Sequence, residues 1–165
     1  MRKRINLLMS QPAIVCHMDD CLHAAAKLMW DHDCGALPVI NSDGRVVAML
    51  TDRDICMASY TQGCPLHAIK VSSVMSRTLY ACGPDDTVEV AEKLMRDHKV
   101  RRLPVVSKSG QPLGLVSLND LARASASGKH RKDDELSPVE VASTLAAISE
   151  PRLVVGVATA PSDGA

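Results

Sequence analysis

The chain has 165 residues, with 19 basic and 19 acidic side chains, so its formal net charge is zero. A neutral chain gives no electrostatic reason to expect nucleic acid or an anionic membrane as the main partner. No apolar run approaches the roughly 20 residues of a membrane-spanning helix, and the run after the basic start is too short for a signal peptide. We therefore expect a cytoplasmic protein.

An internal repeat organises the sequence. The stretch 33–54 (DCGALPVINSDGRVVAMLTDRD) has the same layout as the stretch 99–120 (KVRRLPVVSKSGQPLGLVSLND). The offset is 66 residues throughout, so Leu37 recurs as Leu103 and Asp54 as Asp120 without a gap. Such a repeat is typical of a fold built from two copies of one supersecondary unit.

The first unit, 7–60, is predicted to form a strand at 13–16 and a helix from Leu22 that ends near Asp31 to Cys34. Asp19 and Asp20 are the candidate N-cap of that helix, and Gly35 is its candidate terminator. Two strands at 37–40 and 46–50 follow, joined by the turn 41–44, and a second helix runs over 51–59.

A connector at 61–72, with a glycine and a proline, leads to the second unit, 73–124. Here we predict strands at 79–82, 103–106 and 113–116, a helix from Val88 after the first strand, and a helix from Ser117 to Ala124. A polar linker at 125–136 precedes a C-terminal helix at 137–150, where Ser137, Pro138 and Glu140 form a capping-box pattern. Residues 151–165 are predicted to be a loose tail.

Each unit is thus β-α-β-β-α, and one such unit is too small to bury enough apolar surface alone. We predict an α+β fold in which the two units pack sheet to sheet around a pseudo-twofold axis. The C-terminal helix is too short to persist alone in water, so it should dock on the body or on a partner subunit.

Two matching motifs lie where a strand passes into a helix: Thr51-x-x-Asp54 and Ser117-x-x-Asp120. A carboxylate there can accept hydrogen bonds from ribose hydroxyls, while a hydroxyl at a helix N-terminus can face phosphate. The same spacing is also a capping box that needs no ligand. The two interpretations are compatible, since a ligand can use the same groups.

Arg101 and Arg102 precede the second unit's central strand, and their counterparts in the first unit are Gly35 and Ala36. Two arginines near a core favour an anion as partner, although a surface salt bridge would also account for them. If these sites bind phosphate, the one that uses Asp120 should be the stronger.

The cysteines form no C-x-x-C pair and are expected to be small buried hydrophobes or free thiols. A metal site made by Cys16, His17, Cys21 and His23 is the alternative, although its spacing matches no common zinc pattern. No catalytic Ser/His/Asp or Cys/His arrangement and no glycine-rich phosphate loop is present. Nothing in the sequence argues for an enzyme.

The motifs GALPV at 35–39 with TDRD at 51–54, and RRLPV at 101–105 with SLND at 117–120, resemble those of a tandem cystathionine-β-synthase (CBS) domain pair, or Bateman module. The resemblance implies two clefts between the paired sheets that bind AMP, ADP, ATP or S-adenosylmethionine. Asp54 and Asp120 would then hold ribose, and Thr51 and Ser117 would lie near ribose or phosphate.

The resemblance also implies that Arg102, with Arg101, meets phosphate, and that each cleft takes its adenine wall from the other unit. Ile14 and Cys34 would line the Asp120 cleft, whereas Tyr80 and Val100 would line the Asp54 cleft.

Such a module would be a homodimer of the stand-alone bacterial type, would need no cofactor, and would bind an adenine nucleotide (AMP by preference) to regulate a protein effector in trans. The alternative is a structural or interaction protein with degenerate clefts that responds to redox or metal through its cysteines.

Overall fold

The computed structural model describes residues 3–126 and 136–151, so most of the predicted linker and nearly all of the tail lie outside the described residues. Across the described residues, no helix is both long enough and apolar enough to cross a membrane. The first unit comprises β1 (Cys16–His17), α1 (Leu22–Asp31), β2 (Ala36–Ile40), β3 (Val46–Thr51) and α2 (Asp52–Gln62). The second unit and the C-terminal region comprise α3 (Val88–His98), β4 (Arg102–Val106), β5 (Pro112–Ser117), α4 (Leu118–Ala126) and α5 (Pro138–Ser149).

The two sheets repeat the same pairing. β1 is parallel to β2, β2 is antiparallel to β3, and β4 is antiparallel to β5. Alternate residues of β3 are buried, as expected for a strand with one face in the core. Gly44 and Gly110 adopt φ of 73° and 83° in the two hairpin turns, a conformation that costs little only without a Cβ. These elements confirm the predicted α+β fold with two repeats.

The strand predicted at 79–82 is wrong in extent, because it contributes only one bridge, between Cys82 and Val105. In the first unit the Met18 amide donates to the Ile40 carbonyl and extends the pairing beyond β1. Its counterpart in the second unit is Pro84, which has no amide hydrogen to donate. Proline therefore explains why the second edge strand is shorter.

The predicted caps of α1 also need correction. The side chain of Asp20 accepts a hydrogen bond from the His17 amide instead of capping the helix, whose N-cap is Cys21. At the other end the left-handed residue is Asp33, with φ of 48°, and not Gly35. Its counterpart Lys99 has φ of 51°, so the two units end this helix in the same way.

Each unit donates its leading segment to the core of the other. Ile5 is buried among second-unit residues, while Ile69 and Val71, which the sequence places in the connector, are buried among first-unit residues. The Val88 amide donates to the Lys3 carbonyl at 3.0 Å, and the equivalent Leu22 amide donates to the Ile69 carbonyl at 2.8 Å. The second core is therefore completed by residues at the start of the chain, and the first core by residues of the connector.

A second pair of equivalent contacts differs between the two halves. Ser10 exchanges two backbone hydrogen bonds with Leu115, of 2.9 and 3.0 Å. Their counterparts are Ser76 and Met49. There the Ser76 amide donates to the Met49 carbonyl, but the Met49 amide donates to the Ser76 hydroxyl. A Cβ on Gly114 would lie 2.6 Å from the Ser10 carbonyl oxygen, and the counterpart of Gly114 is Ala48. The missing Cβ thus permits the closer backbone approach.

Helix α5 docks on the body, against α3 and α4. Val141 and Ile148 are buried in the second unit's core, and Thr144 is fully buried. The Thr144 hydroxyl accepts a hydrogen bond from Arg96 at 2.8 Å and donates one of 3.4 Å to Glu92. Ser137 is the N-cap but its side chain makes no capping bond, so the predicted capping box does not form.

We expect Gly114→Ala to reduce the free energy of unfolding by about 1–3 kcal/mol, because the added methyl group pushes residue 10 away from β5. Ala48→Gly is the matched control and should cost only about 0.5–1 kcal/mol of backbone entropy. Urea denaturation of both variants measures the difference. Equal losses would contradict the steric explanation.

Glu92 is 2% exposed, and its burial raises the pKa of its carboxyl group above the usual range, against the opposing charge of Arg96. A carboxyl group with a raised pKa in the folded state stabilises the fold at low pH, and that stability falls as the pH rises from about 4.5 through the raised pKa. Glu92→Gln should therefore raise Tm at pH 7.5, because the amide buries no charge. The gain should disappear near pH 4.5, and a lower Tm at pH 7.5 would contradict it.

Candidate functional site

The two predicted motifs form nearly identical arrangements at the ends of β3 and β5. The Thr51 amide and hydroxyl donate to Asp54 Oδ2 at 2.9 and 2.6 Å, and the Asp54 amide donates to the Thr51 hydroxyl at 3.2 Å. For Ser117 and Asp120 the same three distances are 2.8, 2.6 and 3.2 Å. Both motifs are therefore complete capping boxes, in which each carboxylate is held by one of its oxygens.

The second oxygens of the two carboxylates have different surroundings. Asp120 is 9% exposed, and its Oδ1 accepts a hydrogen bond from the guanidinium group of Arg123, one helical turn further along α4. The Arg123 side chain is itself 75% exposed. The counterpart of Arg123 is Met57, and within residues 3–126 and 136–151 Asp54 Oδ1 accepts no hydrogen bond.

Arg102 extends from the second unit towards the first. It begins β4, pairs with Ser117, and is half-buried, whereas Arg101 is exposed. One Arg102 guanidinium nitrogen lies 3.4 Å from the position of a Cβ on Gly35, and a carboxylate oxygen of Asp52 lies 2.8 Å from the same point. The uncharged 35–36 loop thus lies beside a positive charge that the other unit supplies.

The predicted adenine-wall residues Ile14 and Cys34 are half-buried and pack against the first unit's core. Burial raises the pKa of the Cys34 thiol, and the charge of Arg102 opposes that rise. Cys34 therefore lies within electrostatic reach of a second-unit arginine, which is the kind of proximity that a cleft shared between the units requires.

The other two wall residues, Tyr80 and Val100, are half-buried and pack against the second unit's core. The ring of Tyr80 stacks on His98 with centroids 3.7 Å apart and an interplanar angle of 10°. One face of the Tyr80 ring is thus already occupied. The assignment of Tyr80 and Val100 to the Asp54 cleft stays a prediction.

A cavity of about 400 Å³ opens on the helical side of the first unit, between α1 and α2. Of the predicted site residues it includes only Cys34, and it is lined by Ala26, Met29, Trp30, Asp33, Cys34, Gly35, Asp52 and Ile55. Two of its lining residues, Asp52 and Ile55, directly follow Thr51 and Asp54 of the first capping box in sequence, so the cavity lies near the start of α2.

The cysteines are free thiols in different environments. Cys16 and its counterpart Cys82 are buried, and burial raises the pKa of each thiol to about 12, so both stay protonated at neutral pH. Within residues 3–126 and 136–151, no three His, Cys, Asp or Glu side chains come together as a metal site. The alternative metal site at Cys16, His17, Cys21 and His23 does not form within this chain.

Two further residues, Arg123 and Asp52, lie beside the candidate sites although no sequence motif marks them as site residues. Arg123 lies three residues after Asp120 on a helix, which is the spacing of side chains on one face, and that spacing was the available signal. Asp52 lies within the TDRD motif. Its carboxylate lies close to Gly35, which the guanidinium group of Arg102 also approaches.

The sequence resembles known proteins along most of its described length. A protein from Bacillus subtilis, "CBS domain-containing protein YhcV", is 42% identical over 101 residues, which cover 61% of this chain and 70% of that protein. Hypoxic response protein 1 of Mycobacterium tuberculosis is 34% identical over 104 residues, covering 63% of this chain and 72% of that protein.

Solved structures share the fold. The CBS domain pair of protein MJ0100, in complex with 5-methylthioadenosine and S-adenosyl-L-methionine, has a TM-score of 0.68 at 23% identity and covers 74% of this chain and 95% of its own. Hypoxic Response Protein I, solved with two coordinated zinc ions, has a TM-score of 0.67 at 30% identity and covers 73% of this chain and 98% of its own.

The family model for the CBS domain matches the chain twice, at residues 3–60 and 71–127. These two matches coincide with the two repeats that the 66-residue offset relates and that the fold places around one pseudo-twofold axis. The chain belongs to the CBS domain family, and it is built as a tandem pair of these domains.

Proposed function

We propose that this chain is a regulatory module that senses an adenosine-containing ligand in the clefts between its two repeats. The observation that carries the proposal is the pair of matching aspartate and hydroxyl boxes, beside which Arg102 reaches from one unit to the other. Carboxylate, hydroxyl and guanidinium groups are what ribose and phosphate require. MJ0100, a CBS domain pair of the same fold, was solved with two adenosyl compounds.

In the proposed Asp120 cleft, the ribose hydroxyls donate to Asp120 Oδ1 and displace Arg123. That exchange leaves the buried Asp120 carboxylate hydrogen-bonded, and the largely exposed Arg123 side chain passes into solvent. Oδ2 stays bound to Ser117, which holds the carboxylate in position before the ligand arrives.

A phosphate group would meet Arg102, with Arg101 at the rim, and Ile14 and Cys34 would form the adenine wall. The Asp54 cleft, with Thr51 and walls from Tyr80 and Val100, is the second site. AMP is the favoured ligand, because one phosphate can be met by the Arg102 guanidinium group that lies beside Gly35 of the other unit.

The proposed regulation is signal transduction in the cytoplasm, by a homodimer that acts on a protein effector in trans and catalyses no reaction itself. The free thiols fit a reducing compartment. Ligand binding can change the effector only if the ligand binds one conformation of the module better than another.

An interaction protein with unused clefts is the second candidate function. It is favoured by the completeness of the capping boxes, since both hydroxyls and both bound carboxylate oxygens have partners without any ligand. A redox response of such an interaction protein would depend on Cys56 and Cys64, the two exposed thiols among the described residues.

We expect one adenosyl ligand, at about 100 times its Kd, to raise Tm by about 5–10 °C. The panel is AMP, ADP, ATP, NAD and S-adenosylmethionine, with calorimetry on each ligand that gives a shift. Of the two clefts, the Asp120 cleft should give the larger Tm shift. Asp120→Ala should abolish that shift because it removes the carboxylate that accepts from ribose.

Asp54→Ala is the matched control, since it removes an equivalent capping box but leaves the Asp120 cleft intact. It should lose similar stability, about 0.5–2 kcal/mol, and keep the larger ligand shift. A flat panel at millimolar ligand would contradict the sensing proposal and favour the interaction protein.

Arg102→Gln should weaken AMP binding at least tenfold while leaving adenosine affinity nearly unchanged, because the lost charge contacts only the phosphate. Lys108→Gln, an exposed charge in the neighbouring hairpin turn, is the control. Titration calorimetry measures both ligands. An equal loss for AMP and adenosine would indicate a structural role for Arg102.

A further inference from the structure

The cavity between α1 and α2 has a counterpart in the second repeat, and α5 fills that counterpart. At the offset of 66, six residues that line the cavity correspond to Glu92, Met95, Arg96, Lys99, Leu118 and Leu121. Each of these six either contacts α5 through a polar group or belongs to the buried cluster that α5 completes. We call the cavity in the first repeat, with Ala26, Met29, Trp30, Asp33, Asp52 and Ile55 around it, the first-repeat groove.

Polar contacts at two points hold α5 on the second repeat. In the middle of the helix, the buried Thr144 hydroxyl accepts a hydrogen bond from Arg96 and donates one to Glu92. At the C-terminal end, Lys99 Nζ lies 3.4 Å from Glu150 Oε2 and donates to the Glu150 carbonyl at the same distance. A basic residue of the repeat thus meets an acidic residue of the docked helix.

The apolar floor of the groove is similar in the two repeats. Met29 and Ile55 are buried, and their counterparts Met95 and Leu121 lie in one cluster with apolar residues of α5. In the first repeat this floor opens into about 400 Å³ of space, a volume typical of binding sites. An apolar helix can therefore pack on this floor as α5 packs on the other.

The middle of the groove lacks both polar partners of Thr144. Ala26 stands in place of Glu92, and Trp30 stands in place of Arg96. Ala26 has no polar group, and Trp30 offers an aromatic surface where Arg96 offers a guanidinium group. Because a hydroxyl group that is buried without a partner costs free energy, a helix on this repeat needs an apolar side chain where α5 has Thr144.

The rim of the groove reverses the charge found in the second repeat. Asp33 replaces Lys99, and both residues are left-handed, with φ of 48° and 51°, so they occupy equivalent places. Asp52 replaces the apolar Leu118. In the part of the chain that the structure describes, neither carboxylate forms an ion pair. The rim stays negative when the approaching guanidinium group of Arg102 is counted.

This charge decides which helix the groove accepts. A second copy of α5 would bring Glu150 to Asp33, and the like charges disfavour that contact. A lysine or arginine in the place of Glu150 is attracted to Asp33 and Asp52 instead. A cation near the C-terminal end of a helix is also favoured by the helix dipole.

We propose that the first-repeat groove docks an apolar helix of a protein partner, placed as α5 is placed on the second repeat, with a lysine or arginine at its C-terminal end beside Asp33 and Asp52. The proposal rests on the effector in trans of the proposed function and names its docking surface. The two ligand clefts do not enter it.

The probe is a synthetic peptide of residues 137–151, the sequence of α5, with Thr144→Leu and Glu150→Lys. A hydrocarbon staple between positions 139 and 143, both on the exposed side of α5, keeps the short helix folded. Trp30 is the only tryptophan of the chain and is 87% exposed, so a helix that covers it should move its fluorescence to shorter wavelength. We expect a saturable shift with the full chain. Its absence would overturn the proposal.

The matched peptide keeps Glu150 and differs at no other position. It should bind about tenfold more weakly, because an attraction to Asp33 becomes a repulsion. Asp33→Lys should reverse the order of the two peptides, and Lys99 shows that lysine adopts the left-handed conformation needed there. Asp43→Lys, in the turn at the other end of β2 and β3, is the control and should keep the wild-type order. Equal affinities for the two peptides, or no reversal in Asp33→Lys, would contradict the proposed charge pairing.

Two other occupants of the groove give different results. If the C-terminal residues of the chain compete for it, the full chain with Leu153→Asp and Val155→Asp should bind the peptide more tightly than wild type does. If a second copy competes, sedimentation should show a self-associated form that the peptide dissociates. Either result would overturn the assignment to a partner helix. Equal binding by both chains, with an oligomeric state that the peptide does not change, supports it.

This proposal and the sensing function fail separately. If the peptide binds as expected and the adenosyl-ligand panel is flat, the sensing function fails alone. If AMP gives a Tm shift that Asp120→Ala abolishes, but the peptide gives no saturable fluorescence shift, the assignment of the groove fails alone.

Discussion

The hydrogen bonds from Val88 to Lys3 and from Leu22 to Ile69 are one contact made twice across the pseudo-twofold axis. They anchor Ile5 in the second core, and Ile69 with Val71 in the first. The proposed clefts depend on these contacts, since the two completed cores hold the ends of β3 and β5 in place. Arg102 can then reach Gly35 across the boundary.

In the proposed site, the atoms that cap the helix would also bind the ligand. A capping box fixes one carboxylate oxygen and leaves the other to face outwards. Preorganisation of this kind lowers the entropy cost of ligand binding. The two copies differ at single positions: Arg123 donates to the second oxygen of Asp120, whereas its counterpart Met57 is an exposed thioether with no hydrogen to donate to Asp54.

The sequence predicted what depends on local pattern. The 66-residue offset identified the two repeats, the hairpins at Gly44 and Gly110, and both boxes, because strand alternation, turn glycines and the spacing within each box are local properties. Sequence patterns failed where a single residue, or a contact with a residue far along the chain, determines the local structure. Pro84 removes a single donor and shortens an apolar run that otherwise looks like a strand. The exchanged segments, the docking of α5 on Arg96 and the approach of Ser10 to Gly114 all join residues far apart in sequence, about which periodicity carries no information.

The exchange of leading segments also constrains how the chain can fold as it is synthesised. The first core lacks two of its buried residues until Ile69 and Val71 have been made, and Ile5, among the earliest residues, must wait for a core that begins near Cys82. Such contacts between distant residues close long loops and slow the search for the native state. The two repeats resemble each other as if they were separate domains, yet each core is completed by a segment from outside its own repeat, and the second core by one that precedes the whole first repeat.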